Sequence, residues 1–304
     1  ASLLDGTLAT GVVADIPDLR EARLAVKGNV DATGPDLMRL FRESPLRTHT
    51  AAVADNLALE GPVRGQLALD IPLSRALPPD TRVIVDAMLP GNRLRLPKID
   101  LQAEELAGNV RFTTARGLEA SGLRGLLLGA PVSADISSVV RRNVLQSVDV
   151  TVQGRVSAPA LQRWLGGTVW QSLSGEAPYE ARIHVPAGAA VAQLRLASSL
   201  AGMRILLPPP LAKGIEPLQL RYQSSLGRGE QLARLQLGRV LAAGLVWREA
   251  GLHGALFRLN GTDAGWPSSG GIEVEGRVAR LSLAEWQPWV DRFRSAAPGQ
   301  RRGG

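Results

Sequence analysis

One segment recurs three times along this chain: a strand ending in Gly-x-Val that runs into a short apolar, helix-like stretch. The copies are Gly28-Asn29-Val30 with Leu37 and Leu40, Gly154-Arg155-Val156 with Leu161 and Trp164, and Gly276-Arg277-Val278 with Leu283 and Trp286. Their glycines stand 126 and 122 residues apart. A long, nearly constant period marks one architectural unit used repeatedly, so the chain reads as a stretch of an array. In the second and third copies the apolar positions fall seven and ten residues after the glycine, whereas two extra residues around Gly34-Pro35 make the first copy the loosest match.

Between these segments the pattern has period two. Val63, Gly65, Leu67, Leu69 and Ile71 alternate with Arg64, Gln66, Ala68 and Asp70, which predicts a strand with one apolar face. Val83, Val85 and Ala87 repeat the pattern, and Pro90-Gly91-Asn92 before Leu94 and Leu96 reads as the turn of a hairpin. Asn260-Gly261 is a second turn signal, because both residues tolerate positive φ. Further strands are expected near 109–113, 147–156, 180–185, 192–198, 203–207, 217–223, 233–238, 244–248, 254–259 and 272–278. Helix is expected only at Pro35–Phe41, Ala158–Leu165 and Leu283–Phe293, with Ser157 and Ser282 as caps and Trp164, Trp286 and Trp289 as buried anchors. Pro208-Pro209-Pro210 should end a strand and force an extended crossing. With 33 glycines and 20 prolines in 304 residues, long helices are excluded, and aromatics at 4% make an ordinary aromatic-rich sandwich a poor fit.

The net charge of +7 sits in the second half: residues 1–152 hold 17 basic and 18 acidic side chains, residues 153–304 hold 18 and 10. The basic residues are spaced singly along strands and not interleaved with aromatics, which argues against a nucleic-acid partner. There is no cysteine, so disulfides, thiolate metal sites and cysteine nucleophiles are excluded. The chain begins at Ala1 in mid-pattern, which predicts a section of something longer, with any membrane anchor or export signal outside it.

The residues of catalysis are missing from the pattern. His49, His184 and His253 stand in separate contexts without metal-ligand spacing, so no metal is expected. Glu104-Glu105 is an adjacent acidic pair, but neighbours on a strand face opposite sides and cannot share a substrate. Nucleophile elbow, phosphate loop and dinucleotide fingerprint are all absent, and Asn260-Gly261-Thr262 matches a glycosylation acceptor only at a turn. A chain without convergent polar groups reads as a non-enzyme with no cofactor. A one-sided apolar sheet must still bury that face. It folds onto other elements as a closed core, or it stays open and is covered by acyl chains, and periodicity does not separate the two.

The order of motifs resembles the AsmA-like proteins, in particular the YhdP branch of bacterial envelope proteins. It rests on Gly65–Leu73, on Gly108–Ala120 leading to Leu128-Gly129-Ala130-Pro131, and on Gly166–Gly175 with Trp170 followed by Glu176-Ala177-Pro178-Tyr179. Leu194–Leu200, Gly202–Leu207 with Pro208–Lys213, and Glu275–Val278 with Leu281, Leu283 and Trp286 complete it. The resemblance implies an inner-membrane-anchored, periplasm-spanning β-groove related to bridge-like lipid transfer proteins, which moves phospholipid toward the outer membrane and supports its permeability barrier. It carries no catalytic residues to this chain.

The combined expectation is an all-β-dominated, elongated and curved antiparallel β-groove built from repeats, with short helices at the repeat ends. Its parts are 1–50, the end of a truncated repeat, then groove repeats at 51–167 and 168–297, and a flexible tail at 298–304. Candidate floor positions are Val83, Val85, Leu94, Leu96, Val110 and Phe112 in the first half. Ile183, Val185, Leu194, Leu196, Ile205 and Leu207 extend them in the second. The expected partners are phospholipid acyl chains and, through the full-length protein, envelope components of both membranes. The alternative is a structural or scaffolding β-domain of the envelope with a dry core.

Overall fold

The structure, a computed structural model, describes residues 2–4, 7–17, 22–43, 57–73, 81–167, 169–188, 191–227, 229–248 and 251–296. It is strand-dominated and antiparallel with few short helices, as the alternation requires. His49 and the expected tail at 298–304 lie outside the described residues. The chain forms two compact units, Ala1–Val152 with Ile183–Val191 and Gln153–Arg182 with Ala192–Gly304.

In the first unit the strands are β1 (Ser2–Leu4), β2 (Thr7–Asp15), β3 (Arg23–Thr33), β4 (Ala58–Glu60), β5 (Pro62–Pro72) and β6 (Arg82–Leu96). They continue with β7 (Leu101–Thr113), β8 (Gly117–Leu127), β9 (Ala130–Arg141) and the start of β10 (Val144–Ser157). From β1 to β3 and from β5 to β9 each strand pairs antiparallel with the next, β3 pairs with β5, and β4 pairs with β6.

The second unit takes in β11 (Leu173–Pro186, up to Arg182), β12 (Ala192–Ser198), β13 (Met203–Ile205), β14 (Leu220–Leu226) and β15 (Gln231–Leu237). It ends with β16 (Leu241–Arg248), β17 (Gly251–Leu259) and β18 (Gly271–Gly276). β11 pairs with β13, and β12 and β14 to β17 form an antiparallel series. β17 and β18 are parallel.

The helices α1 (Gly34–Glu43), α2 (Ala158–Leu165) and α3 (Leu283–Ala296) follow the three Gly-x-Val segments. Each starts one residue after a hydroxyl side chain. Thr33 Oγ1 accepts from Asp36 N, Ser157 Oγ from Ala160 N and Ser282 Oγ from Glu285 N, each at 3.4 Å. Such caps satisfy one of the amide donors that every helix leaves open at its start. Counted from the cap, the apolar positions lie four and seven residues on in all three copies: Leu37 and Leu40, Leu161 and Trp164, Trp286 and Trp289. The repeat is therefore in register from the cap, not from the glycine, and the irregularity of the first copy disappears. Gly34 is required there, because a Cβ would strike the Leu59 carbonyl where α1 leaves the sheet. The three tryptophans are half-buried, not buried anchors. Trp286 spends its indole N–H on the Pro209 carbonyl at 2.9 Å.

Two expectations are overturned by the backbone. Pro90-Gly91-Asn92 does not turn the chain, because β6 runs straight through it and the pairing with β7 continues from Pro90↔Ala107 to Asn92↔Leu106. The extra residue makes a bulge, which bends the strand without ending it. It also keeps Val83, Val85, Ala87 and Leu89 on the same face as Asn92, Leu94 and Leu96, as the burial pattern records. Asn92 is fully buried and donates from Nδ2 to the carbonyls of Glu60 and Pro62, both at 3.0 Å, bridging β4 and β5. The prolines at 208–210 likewise do not give an extended crossing. Leu211 N bonds to Pro208 O at 3.1 Å, and Ile205 and Lys213 then exchange two backbone hydrogen bonds of 3.0 Å, so the chain reverses on itself. At Asn260 the expected turn is present, with φ of 53° and the side-chain amide bonded to the Arg277 carbonyl at 2.6 Å.

Replacing Asn92 by Leu, of similar volume, removes the donor shared by Glu60 and Pro62. The expected loss is about 2 kcal/mol of stability, read from the urea midpoint at unchanged m-value.

Candidate functional site

In the first unit the register assembles continuous apolar rows. Val30, Gly65, Ala87, Val110, Ala120 and Ile136 stand opposite one another on β3, β5, β6, β7, β8 and β9. The next row is Gly28, Leu67, Val85, Phe112 and Leu118, and beyond it come Val26, Leu69 and Val83. Period two sends the intervening residues to the other face. There the charges pair across strands: Arg111 with Asp86 at 3.5 Å, Arg64 with Asp31 at 3.9 Å, Arg82 with Asp70 at 3.9 Å. An open depression of about 520 Å³ on this face is rimmed by Arg64, Asp86, Asn109, Arg111 and Glu119. One side is thus aliphatic and the other mainly ionic, with Ile84 and Met88 exposed among its charges.

One end of the apolar face is covered by α1, whose Leu37 and Met38 pack on a cluster of Leu59, Val63, Leu89, Leu106 and Leu123. Of the expected floor positions, Val83, Val85, Leu94, Leu96, Val110 and Phe112 all fall on this one face. Val83 and Phe112 are buried, at 6% and 3% exposure, while Val85, Val110, Leu94 and Leu96 are half-exposed. Ile183 and Val185 are half-buried on β11, flanking His184, whose Nδ1 lies 2.7 Å from Asp149.

The second unit repeats the plan. Leu196, Tyr222, Leu235, Ala243, Phe257 and Val274 form one row, and Leu194, Ser224, Ala233, Leu245, Ala255 and Ile272 the next. Small alanines are buried between larger, half-exposed neighbours, and at β18 Ile272 and Val274 are more than 60% exposed. Again a helix covers one end: Ala158 and Leu161 of α2 pack with Ala177, Leu200, Met203 and Leu237. The opposite face is roofed by the connection from β17 to β18. A Cβ on Gly244 would strike the Gly265 carbonyl, Ala264 is buried, and Arg234 stacks 5.0 Å over the Trp266 ring.

Leu194 and Leu196 thus lie on the apolar face, whereas Ile205 packs beside the α2 cluster and Leu207 falls in the loop after β13. Sequence reading did not include Tyr222, Leu235, Ala243 and Phe257 in the floor. Alternation within each strand is visible there, but which strands neighbour one another is not.

Polar groups close to the apolar clusters are mostly saturated. Lys213 is buried, and its Nζ donates to the carbonyls of Leu200, Met203 and Gly214 at 2.8, 2.6 and 2.9 Å. Burial draws this ammonium below the usual lysine range, an effect the Glu216 carboxylate partly offsets. Tyr179 is different. Its hydroxyl is buried without a hydrogen-bond partner, and burial pushes the phenol up to about 12. Among the described residues no cluster of three or more His, Asp or Glu is arranged to hold a metal, and no helix is long and apolar enough to cross a membrane.

A family model described as YhdP protein matches residues 2–303. The chain belongs to the YhdP family. A curated relative, the intermembrane phospholipid transporter YhdP of Escherichia coli (strain K12), is 28% identical over 225 residues. That match covers 72% of this chain and 17% of the relative, so the chain corresponds to a small section of that protein's length. No solved structure matches this YhdP-family chain.

The Tyr179 phenol makes stability sensitive to alkali. In the unfolded chain it ionises near its ordinary value of 10, in the fold only near 12, so the unfolded state releases its proton first and stability falls between these values. Tyr179→Phe lacks this component. The urea midpoint of the variant should therefore gain on that of the wild type as pH rises from 10 to 12.

Proposed function

We propose that this chain is a section of a hydrophobic surface along which phospholipid acyl chains pass between the inner and outer membranes, in the periplasm and without chemistry of its own. The observation that carries the reading is the set of in-register apolar rows, in which buried side chains alternate with partly exposed ones, on one face of each unit and backed by an ionic or roofed face. The relative's name, an intermembrane phospholipid transporter, gives the cargo its class.

The physical need is clear. An acyl chain in water loses about 0.8 kcal/mol for each methylene taken from the bilayer, and an apolar row lowers that barrier in proportion to the surface it covers. Side chains of Val, Leu, Ala and Phe offer contact without fixed polar anchors, so a chain resting on them can slide. The floor residues in this reading are Val83, Val85, Leu94, Leu96, Val110, Phe112, Ile183, Val185, Leu194 and Leu196, with Ile205 beside the α2 cluster and Leu207 in the loop after β13. Support of the outer-membrane barrier and anchorage at the inner membrane belong to the full-length protein in this reading. Neither a nucleic acid nor a cofactor has a place in it.

A second reading, a closed scaffolding domain, is favoured by the burial of Val83 and Phe112 within the first unit. The two separate in one experiment. Purified from a bacterial envelope, the chain should carry phospholipid in defined stoichiometry by native mass spectrometry. Val110→Arg and Ile183→Arg should lower that occupancy at least tenfold while circular dichroism and melting stay close to wild type. A lipid-free wild type, or variants that unfold, would establish the closed core instead.

A further inference from the structure

Among the described residues two buried side-chain polar atoms have no partner, Asn92 Oδ1 and the Tyr179 hydroxyl. The first belongs to an amide whose Nδ2 is already spent on two carbonyls. The second has no such explanation. A buried hydroxyl without a partner is costly and rare, which leaves Tyr179 with a donor that a group from outside the chain would satisfy.

The position of Tyr179 says what kind of partner fits. Along β11 the side chains of Glu176 and Glu180 turn to one face, where they meet Arg155 at 2.8 Å and Gln153 at 3.0 Å. Alternation puts Tyr179 on the other face together with Ala177, which belongs to the apolar cluster under α2. Neighbouring polar groups are used up. Ser198 Oγ donates to Pro178 O at 2.7 Å and accepts from Leu200 N at 2.9 Å, and Lys213 serves three carbonyls. Arg195 and Arg234 alternate with Leu194, Leu196, Ala233 and Leu235 and so face away from the apolar rows. The apolar side of this unit thus holds a spare neutral donor, with Arg195 and Arg234 turned away from it and Lys213 spent on carbonyls.

We propose that the Tyr179 hydroxyl donates a hydrogen bond to an acyl-ester carbonyl of a glycerolipid whose chains lie on the apolar face of the second unit. This rests on the lipid-conducting reading above. An ester carbonyl is a neutral acceptor placed where the acyl chains meet the glycerol. It can therefore enter an apolar setting that would exclude a phosphate lacking a paired cation. The contact reads the ester and leaves the headgroup unread, so this section accepts phospholipids of different headgroup while holding their glycerol at one depth.

The test is titration of the purified chain, by native mass spectrometry, with a diacyl phosphatidylethanolamine and with its dialkyl ether analogue of the same chain length. The wild type should bind the diacyl lipid about fivefold more tightly, the value of one neutral hydrogen bond. Tyr179→Phe should bring the diacyl affinity down to that of the ether and abolish the preference. Equal binding of the two lipids by the wild type overturns the proposal while leaving the apolar surface intact as a lipid site, and needs no variant. A preference that survives in Tyr179→Phe overturns it in the same way, because another donor then reads the ester. Absence of binding by either lipid overturns both this proposal and the reading on which it rests.

Discussion

The structure depends on keeping one face of each sheet apolar across every strand, because a single slip of register would send a whole strand's aliphatic side chains to the ionic side. In β6 that constraint is met by a bulge. The extra residue at Pro90–Asn92 restores the parity of a 15-residue strand, so that Leu94 and Leu96 share the face of Val83 and Val85. Asn92 secures the site from within by tying β6 to the junction of β4 and β5. A buried amide is costly unless bonded, and here its two donors hold together three strands that the ladder alone would leave offset.

A second regularity limits the apolar faces along the strands. α1 and α2 start behind a capping hydroxyl and lay their first apolar turns over one end of the sheet, Leu37 and Met38 in one unit, Ala158 and Leu161 in the other. A short helix is marginal alone and gains stability by covering apolar surface that the sheet cannot bury by itself. The same contact closes that end of the face. The rows beyond, Gly28–Leu118 in one unit and Leu194–Ile272 in the other, are not part of these helix-covered clusters, and a lipid chain has the chemistry to cover what is exposed of them.

Among the described residues the buried polar side chains beside the apolar faces are mostly satisfied by the protein, and the Asn92 Oδ1 and the Tyr179 hydroxyl are not. Lys213 is sequestered by three carbonyls, so the residue that ends the proline-rich reversal is a structural clasp for residues 200–214, not a headgroup ligand. Tyr179 stands apart with its unpaired hydroxyl. Both side chains lie in segments that resemble the YhdP branch, and the sequence alone does not distinguish their roles. The difference is whether neighbouring backbone oxygens happen to converge on the polar atom.

Much of the fold was legible because it is local. Period-two alternation pointed to the strands, and the short apolar stretches after the three Gly-x-Val segments, two of them behind Ser157 and Ser282, pointed to the helices. The order of motifs also determined the family. Tertiary structure decided what no local pattern carries: that Pro90–Asn92 is a bulge and not a hairpin, that the prolines at 208–210 reverse the chain, and that the tryptophans of the helices stay half-exposed. It also decided which strands stand side by side, and hence that Val110 meets Ala87 and Ala120, and Leu235 meets Tyr222 and Ala243. The reason is physical. A strand's own sequence specifies which of its side chains share a face, but the surface a ligand meets is made by neighbours tens of residues away, whose register is set by hydrogen bonds and packing formed only on folding.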